Sequence, residues 1–436
     1  MRYSATNPDS RQRMMDILGI KNVEELFTSI PADVVEHRTP DVEGPVSELN
    51  LLRSLDARKG SRPRVSLAGA GLYEHYIPAT VDSLSARSEW LTSYTPYQAE
   101  VSQGTLAMYY EFQTFLAMLT NQEIANGGMY DGSTALAEAV MMALRVRPRS
   151  NRTIYVSEGL HPEYREVLNT YLSFIDVKAV SLPIDPITGK TTLDVDGDEQ
   201  AAASAIVIQS PNFFGAIEST QAVSEEAFVI GVCTEALSLS ATAPLQCDVM
   251  VGECQAMGIP LQLGGPTAGF FATSKKHVRK IPGRLVGRTV DTNGDEAFCV
   301  TLATREQFIR REKATSNICT SSGLMCLRAT IYMALLGRKG MEGVALKSAR
   351  AARYIQRGLE KLGLPLVHNA PYFNEFVVDA SAHPDLCDRL SASDFILGVP
   401  LDQWFPERKH QILIAATELH YSNAESIVKE VASHVA

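Results

Sequence analysis

The chain has 436 residues, 45% of them apolar and 21% charged, with a formal net charge of −10. That length suits a large α/β domain with a smaller companion, and the composition is that of a soluble globular protein with a full core. The negative charge argues against a protein that grips nucleic acid through its phosphates. The first twenty residues lack the apolar segment of a signal peptide, and no run of 18 apolar residues predicts a membrane span. Seven cysteines with no CxxC pair argue against a disulfide framework or a zinc ribbon and fit reduced thiols in the cytoplasm.

Residues 1–61 are polar, with short helical patches such as Glu48 to Leu55, and read as an N-terminal arm. From residue 62 the texture changes. Leu106, Tyr109, Tyr110, Phe112, Leu116 and Leu119 form an apolar face at helical spacing, and Leu136, Val140 and Leu144 form another. Ser133 and Thr134 sit just ahead of the second helix, where a hydroxyl can cap free N–H groups. Pro162 fits the first turn of a helix reaching about Tyr171. The strand candidates are Thr153–Val156, Val177–Leu182, Ala205–Gln209, Phe228–Cys233, Asp248–Gly252 and Gly269–Thr273. Short apolar runs alternating with helices predict βα units and a largely parallel sheet over residues 62–325. A long helical stretch then leads into a smaller α+β region, residues 326–436, with strands at Phe376–Asp379 and Gln411–Ala415 and a last helix from about Ala424.

Several groups are candidates for chemistry, each with a plainer alternative. Tyr94 and Tyr97 flank Pro96 in a polar turn, where two phenols can reach a shared cavity or simply pack their rings. His75 follows Gly69 and Gly71; it can orient a substrate or move a proton near neutral pH, or be a satisfied structural histidine. Asn317, Cys319 and Thr320 close a polar segment able to lend amide and hydroxyl groups to a pocket, or to serve as a connector. Asp131-Gly-Ser-Thr134 at a helix start resembles a phosphate cup, although N-capping alone explains it and is preferred here. Lys275, Lys276, Arg279, Lys280, Arg284 and Arg288 form a basic stretch, read first as a solvated face and second as a docking surface.

Five blocks bear a resemblance. They are Gly69-Ala-Gly-Leu-Tyr-Glu-His75-Tyr-Ile-Pro, Ser93-Tyr-Thr-Pro-Tyr97-Gln-Ala-Glu, Met129-Tyr-Asp-Gly-Ser-Thr134, Gly258-Ile-Pro-Leu-Gln-Leu-Gly-Gly-Pro266 and Pro282-Gly-Arg-Leu-Val-Gly287. The last leads on to Ile309 through Thr320. In this order they resemble the N-terminal, lysine-free subunit of the glycine cleavage P-protein family. The resemblance implies a pyridoxal-phosphate transferase fold of the aspartate-aminotransferase type (fold type I), with a large parallel-sheet domain and a smaller C-terminal α+β domain. It implies a glycine decarboxylase shared between two kinds of subunit, of α2β2 form, in which the sister subunit holds pyridoxal phosphate through its lysine. It also implies transfer of the aminomethyl group to the lipoyl arm of an H-protein. The site residues it implies at the subunit interface are His75, Tyr94, Tyr97, Asn317 and Thr320.

The residues bear on the missing lysine directly. The slot where this fold carries its lysine reads Asp248-Val-Met-Val-Gly-Glu-Cys-Gln-Ala-Met-Gly258, with Ala256 near the lysine's place, and an alanine cannot form an imine. Two rival readings are a self-sufficient enzyme using Lys275 and a non-catalytic interaction protein that keeps the fold. Departures from the family pattern are Gln255-Ala256, Thr267-Ala268 and Thr320-Ser-Ser-Gly323.

Overall fold

The computed structural model describes residues 7–35, 41–42, 44–58, 63–91 and 95–435. It contains two bodies, residues 1–61 and residues 62–436. In the first, helices form over Pro8–Leu18 and Glu48–Arg58. Asn7 caps the former by accepting from Ser10 N at 2.8 Å, and Gly19 ends it in the left-handed conformation.

The second body is organised by a seven-stranded sheet. Its strands are β1 (Ile124–Ala125), β2 (Thr153–Ser157), β3 (Lys178–Leu182), β4 (Ala205–Gln209), β5 (Val229–Cys233), β6 (Val249–Glu253) and β7 (Gly269–Thr273), in the order β1-β7-β6-β5-β4-β2-β3. The expected strands all form, with shifts of one residue at some ends. Strands β2 to β6 pair in parallel, and β7 pairs antiparallel with β6 and β1. The reason is local: the link from β6 to β7 holds no helix, and a parallel neighbour needs a long crossover.

Because side chains alternate along a strand, each central strand feeds two cores. Ile206 and Ile208 pack with Leu106, Phe112 and Leu116 of helix α1 (Gln103–Leu119), while Val207 packs with Leu136 and Val140 of α2 (Gly132–Val146). Burial on both faces is why these strands read as unbroken apolar runs. Ser133 and Thr134 do not cap α2 from outside, as expected; they lie in its first turn. Asp131, extended just before the helix, is the cap and accepts from Thr134 N at 2.7 Å, while Thr134 Oγ1 accepts from Asp131 N at 3.3 Å in return.

Helix α3 (Pro162–Leu172) covers the sheet beside α2. A hairpin missed in the sequence, β8 (Leu285–Val290) with β9 (Glu296–Thr301), packs on α1. Its strands are mostly half-buried or exposed, so they lack the apolar run that marked the others. The long helix α4 (Gly323–Lys361) is broken at Gly337, whose φ of 57° is left-handed. It leads to the antiparallel sheet β10 (Glu375–Asp379), β12 (Gln411–Ala415) and β11 (Val399–Pro400), in that order, and to the last helix α5 (Ala424–Val435).

Candidate active site

In open α/β sheets, ligands enter the crevice at the carboxyl ends of the strands, and anions favour helix N-termini there. Here that place is filled by the chain itself. Glu253, the last residue of β6, is buried, and its Oε2 accepts from Gly132 N at the start of α2 (3.0 Å) and from Thr267 Oγ1 (3.2 Å). Its Oε1 accepts from Cys254 N at 3.0 Å. Burial pushes its carboxyl up to about 8, against the pull of Gly132 N. The Tyr164 hydroxyl packs against Gly132 so closely that a Cβ there would collide with it.

Neighbouring groups close the same crevice. His161 bonds Ala70 O through Nε2 at 2.9 Å and accepts from Glu163 N at Nδ1. Burial lowers its pKa, and the ring packs tilted or edge-on against Tyr164, Phe213 and Trp404. Gln255 is fully engaged with both backbone groups of Tyr73 and with Ile259 O. Tyr73 donates its hydroxyl to Glu375 Oε2 at 2.7 Å, and burial pushes the Glu375 carboxyl up to about 7.

A second cluster lies where the segment after the hairpin meets α1. Tyr97, half-exposed, packs edge-on against Phe308 with ring centroids 5.5 Å apart, and the guanidinium of buried Arg284 lies 5.4 Å from the Tyr97 centroid. Arg284 donates through Nη2 to Cys319 O at 3.4 Å, and Cys319 N donates to the Tyr130 hydroxyl at 3.2 Å. Ser321 Oγ and the Tyr109 hydroxyl are 3.2 Å apart. Phe308 and Ile309 are exposed beside these groups.

A model of the glycine cleavage system P-protein matches residues 1–431. The chain belongs to that family. It is 43% identical to a probable glycine dehydrogenase (decarboxylating) subunit 1 of Xanthobacter autotrophicus, with 96% of each chain covered. It is 41% identical to a protein of the same name from Anaeromyxobacter dehalogenans, over 96% of this chain and 97% of that one. A crystal structure of an inhibitor-bound glycine decarboxylase (P-protein) superposes with a TM-score of 0.84 at 38% identity, covering both chains fully. A sphingosine-1-phosphate lyase of Burkholderia pseudomallei (TM-score 0.65, 14% identity, 92% of this chain and 93% of that one) shares the fold alone. The fold is thus that of the fold type I pyridoxal-phosphate enzymes.

Within this P-protein family chain the crevice does not fit the cofactor. The slot Glu253 to Gly258 has no lysine, Ala256 is buried, and Glu253 holds the N–H group at α2 that a phosphate would need. The P-protein residues named from the sequence fall into separate places. Tyr97, Asn317 and Thr320 lie around the Arg284 cluster: Asn317 is exposed, its carbonyl accepts from Gln307 Nε2 at 2.9 Å, and Thr320 is half-buried next to Cys319. Tyr94 lies outside the described residues. His75 is held elsewhere, buried between Glu235 Oε2 (3.1 Å) and Glu418 Oε2 (2.7 Å).

Burial alone would lower the His75 pKa, but the two carboxylates outweigh it and raise it to about 10. Its two ring nitrogens bridge Glu235 and Glu418, 160 and 343 residues away in sequence. The basic stretch is not a uniform solvated face. Arg284 is buried, Lys276 pairs with Asp248 at 3.3 Å, and Arg288 pairs with Glu296 at 3.2 Å. Sequence reasoning missed Glu253 and Arg284. A glutamate ending the apolar strand Val249–Glu253 was the available signal for the first; Arg284 had none, since it stood among exposed cations.

Proposed function

We propose that this chain is subunit 1 of a two-subunit glycine decarboxylase and contributes an open face, not a cofactor crevice, to a site shared with its sister chain. The observation that carries this is Glu253 seated on the α2 N-terminus in a slot without lysine. When bound by the sister chain, pyridoxal phosphate supplies the electron sink for decarboxylation. From this chain, Tyr97, Asn317 and Thr320 border the pocket: the phenol and hydroxyl give hydrogen bonds to the substrate, and the Tyr97 and Phe308 rings exclude water. His75 serves by holding the segment 69–76 in place. We further propose an α2β2 assembly in the cytoplasm, with a lipoyl H-protein as acceptor of the aminomethyl group.

The test is borohydride reduction with pyridoxal phosphate, followed by peptide mapping. This chain alone should carry no stoichiometric pyridoxyl adduct, and the mixture with its sister chain should carry one on the sister chain. An adduct on Lys275 or Lys276 would overturn the assignment in favour of a self-sufficient enzyme.

A further inference from the structure

Arg284 is 4% exposed, and among the described residues its Nε has no hydrogen-bond partner. Among the described residues its Nη2 makes only the long 3.4 Å bond to Cys319 O. Nε and Nη2 together form the edge of a guanidinium that matches a carboxylate with two parallel hydrogen bonds. A buried guanidinium with this edge nearly free is uncommon, because an unsatisfied buried donor is costly.

The surroundings narrow what completes it. The backbone is fixed, since Arg284 O accepts from Gly127 N at 2.8 Å. Burial raises the Glu306 carboxyl while the charges of Arg284 and Arg305 lower it, and among the described residues its Oε1 has no hydrogen-bond partner. Arg305 directs its donors to the carbonyls of Leu302, Ile281 and Gly283, so it is already engaged. Arg284 itself lies under the half-exposed ring of Tyr97 and beside the 317–320 segment. A ring that is half in solvent can swing aside to admit a small anion.

We infer that Arg284 is the residue through which this chain recognises the carboxylate of the amino-acid substrate. The inference rests on the shared-site reading above. It assigns binding and orientation of the carboxylate, with no bond made or broken by the arginine. An α-amino acid would be held by its carboxylate while its amine faces the sister chain.

The test uses the assembled two-chain enzyme and two probes: glycine, and methylamine, which is glycine without its carboxylate. Calorimetric binding is measured for wild type, Arg284→Gln and Arg284→Lys. Arg284→Gln should weaken glycine binding about ten- to hundredfold, the loss expected for hydrogen bonds to a charged group. Arg284→Lys should fall between it and wild type, since it keeps the charge and loses the fork. Methylamine binding should not change in either variant. Equal weakening of both probes, or of neither, would overturn the inference. If the glutamine variant fails to assemble, the lysine variant decides, and glycine binding as tight as wild type there overturns it. Tyr97→Phe separates the two levels. A turnover defect in that variant with intact glycine binding in the arginine variants sinks only the role of Arg284, whereas no effect in any of the three sinks the shared site.

Discussion

Replacing His75 with Gln should change how stability depends on pH. In the folded chain His75 lies between Glu235 and Glu418, and its pKa is raised from 6.5 to about 10. Below pH 6.5 the ring is charged both folded and unfolded, so its stabilisation is fully present. Between 6.5 and 10 only the folded state keeps the proton, and stability is lost as pH rises. The slope is about 1.4 kcal/mol per pH unit, and the whole contribution is on the order of 5 kcal/mol. Glu253 and Glu375, raised to about 8 and about 7, act in the same direction, because their folded forms also hold protons that the unfolded forms release. Glu418 is lowered by His75 despite its burial, so its contribution is lost on the acid side. The assay is urea unfolding at half-unit steps from pH 6 to 9. Wild type should lose stability faster than His75→Gln by about 1.4 kcal/mol per unit. At pH 6 the variant should be less stable by about 3–5 kcal/mol, because one buried carboxylate is left uncompensated. Parallel curves would show that His75 is not an imidazolium and would refute the reasoning.

Gly132→Ala should destabilise the chain by about 1–3 kcal/mol, since the added methyl meets the Tyr164 hydroxyl and the Gly252 backbone. Combining it with Tyr164→Phe should recover part of that loss in thermal unfolding, and strict additivity would show that the collision is relieved elsewhere. Tyr97→Phe should slow glycine decarboxylation by the equivalent of about 1.5–3 kcal/mol with assembly intact, as judged by steady-state rates and sedimentation; lost assembly would make Tyr97 a packing residue. The paired change Lys275→Glu with Lys276→Glu should lower glycine–bicarbonate exchange with H-protein, in a salt-sensitive way, and spare exchange with free lipoate. Equal losses with both acceptors would mean damage to fold or assembly instead.

The sequence by itself determined the sheet and the family. Strands such as Ala205–Gln209 and Gly269–Thr273 are buried on both faces, so their apolar runs needed no tertiary information to be seen. The absent lysine between Glu253 and Gly258 was equally plain, because covalent chemistry depends on residue type. The half-buried hairpin β8–β9 was not visible, since its pattern is mixed. Only the tertiary structure decided what the charged residues do. His75 meets partners 160 and 343 residues away. Arg284 looks in sequence like its exposed neighbours Arg279 and Arg288, yet the fold buries it beneath Tyr97. Glu253 could have been a solvated strand end, and the antiparallel return of β7 brings Thr267 alongside to help bury it against α2. Apolar burial follows local periodicity, whereas the fate of a charge depends on which distant groups the chain folds against it.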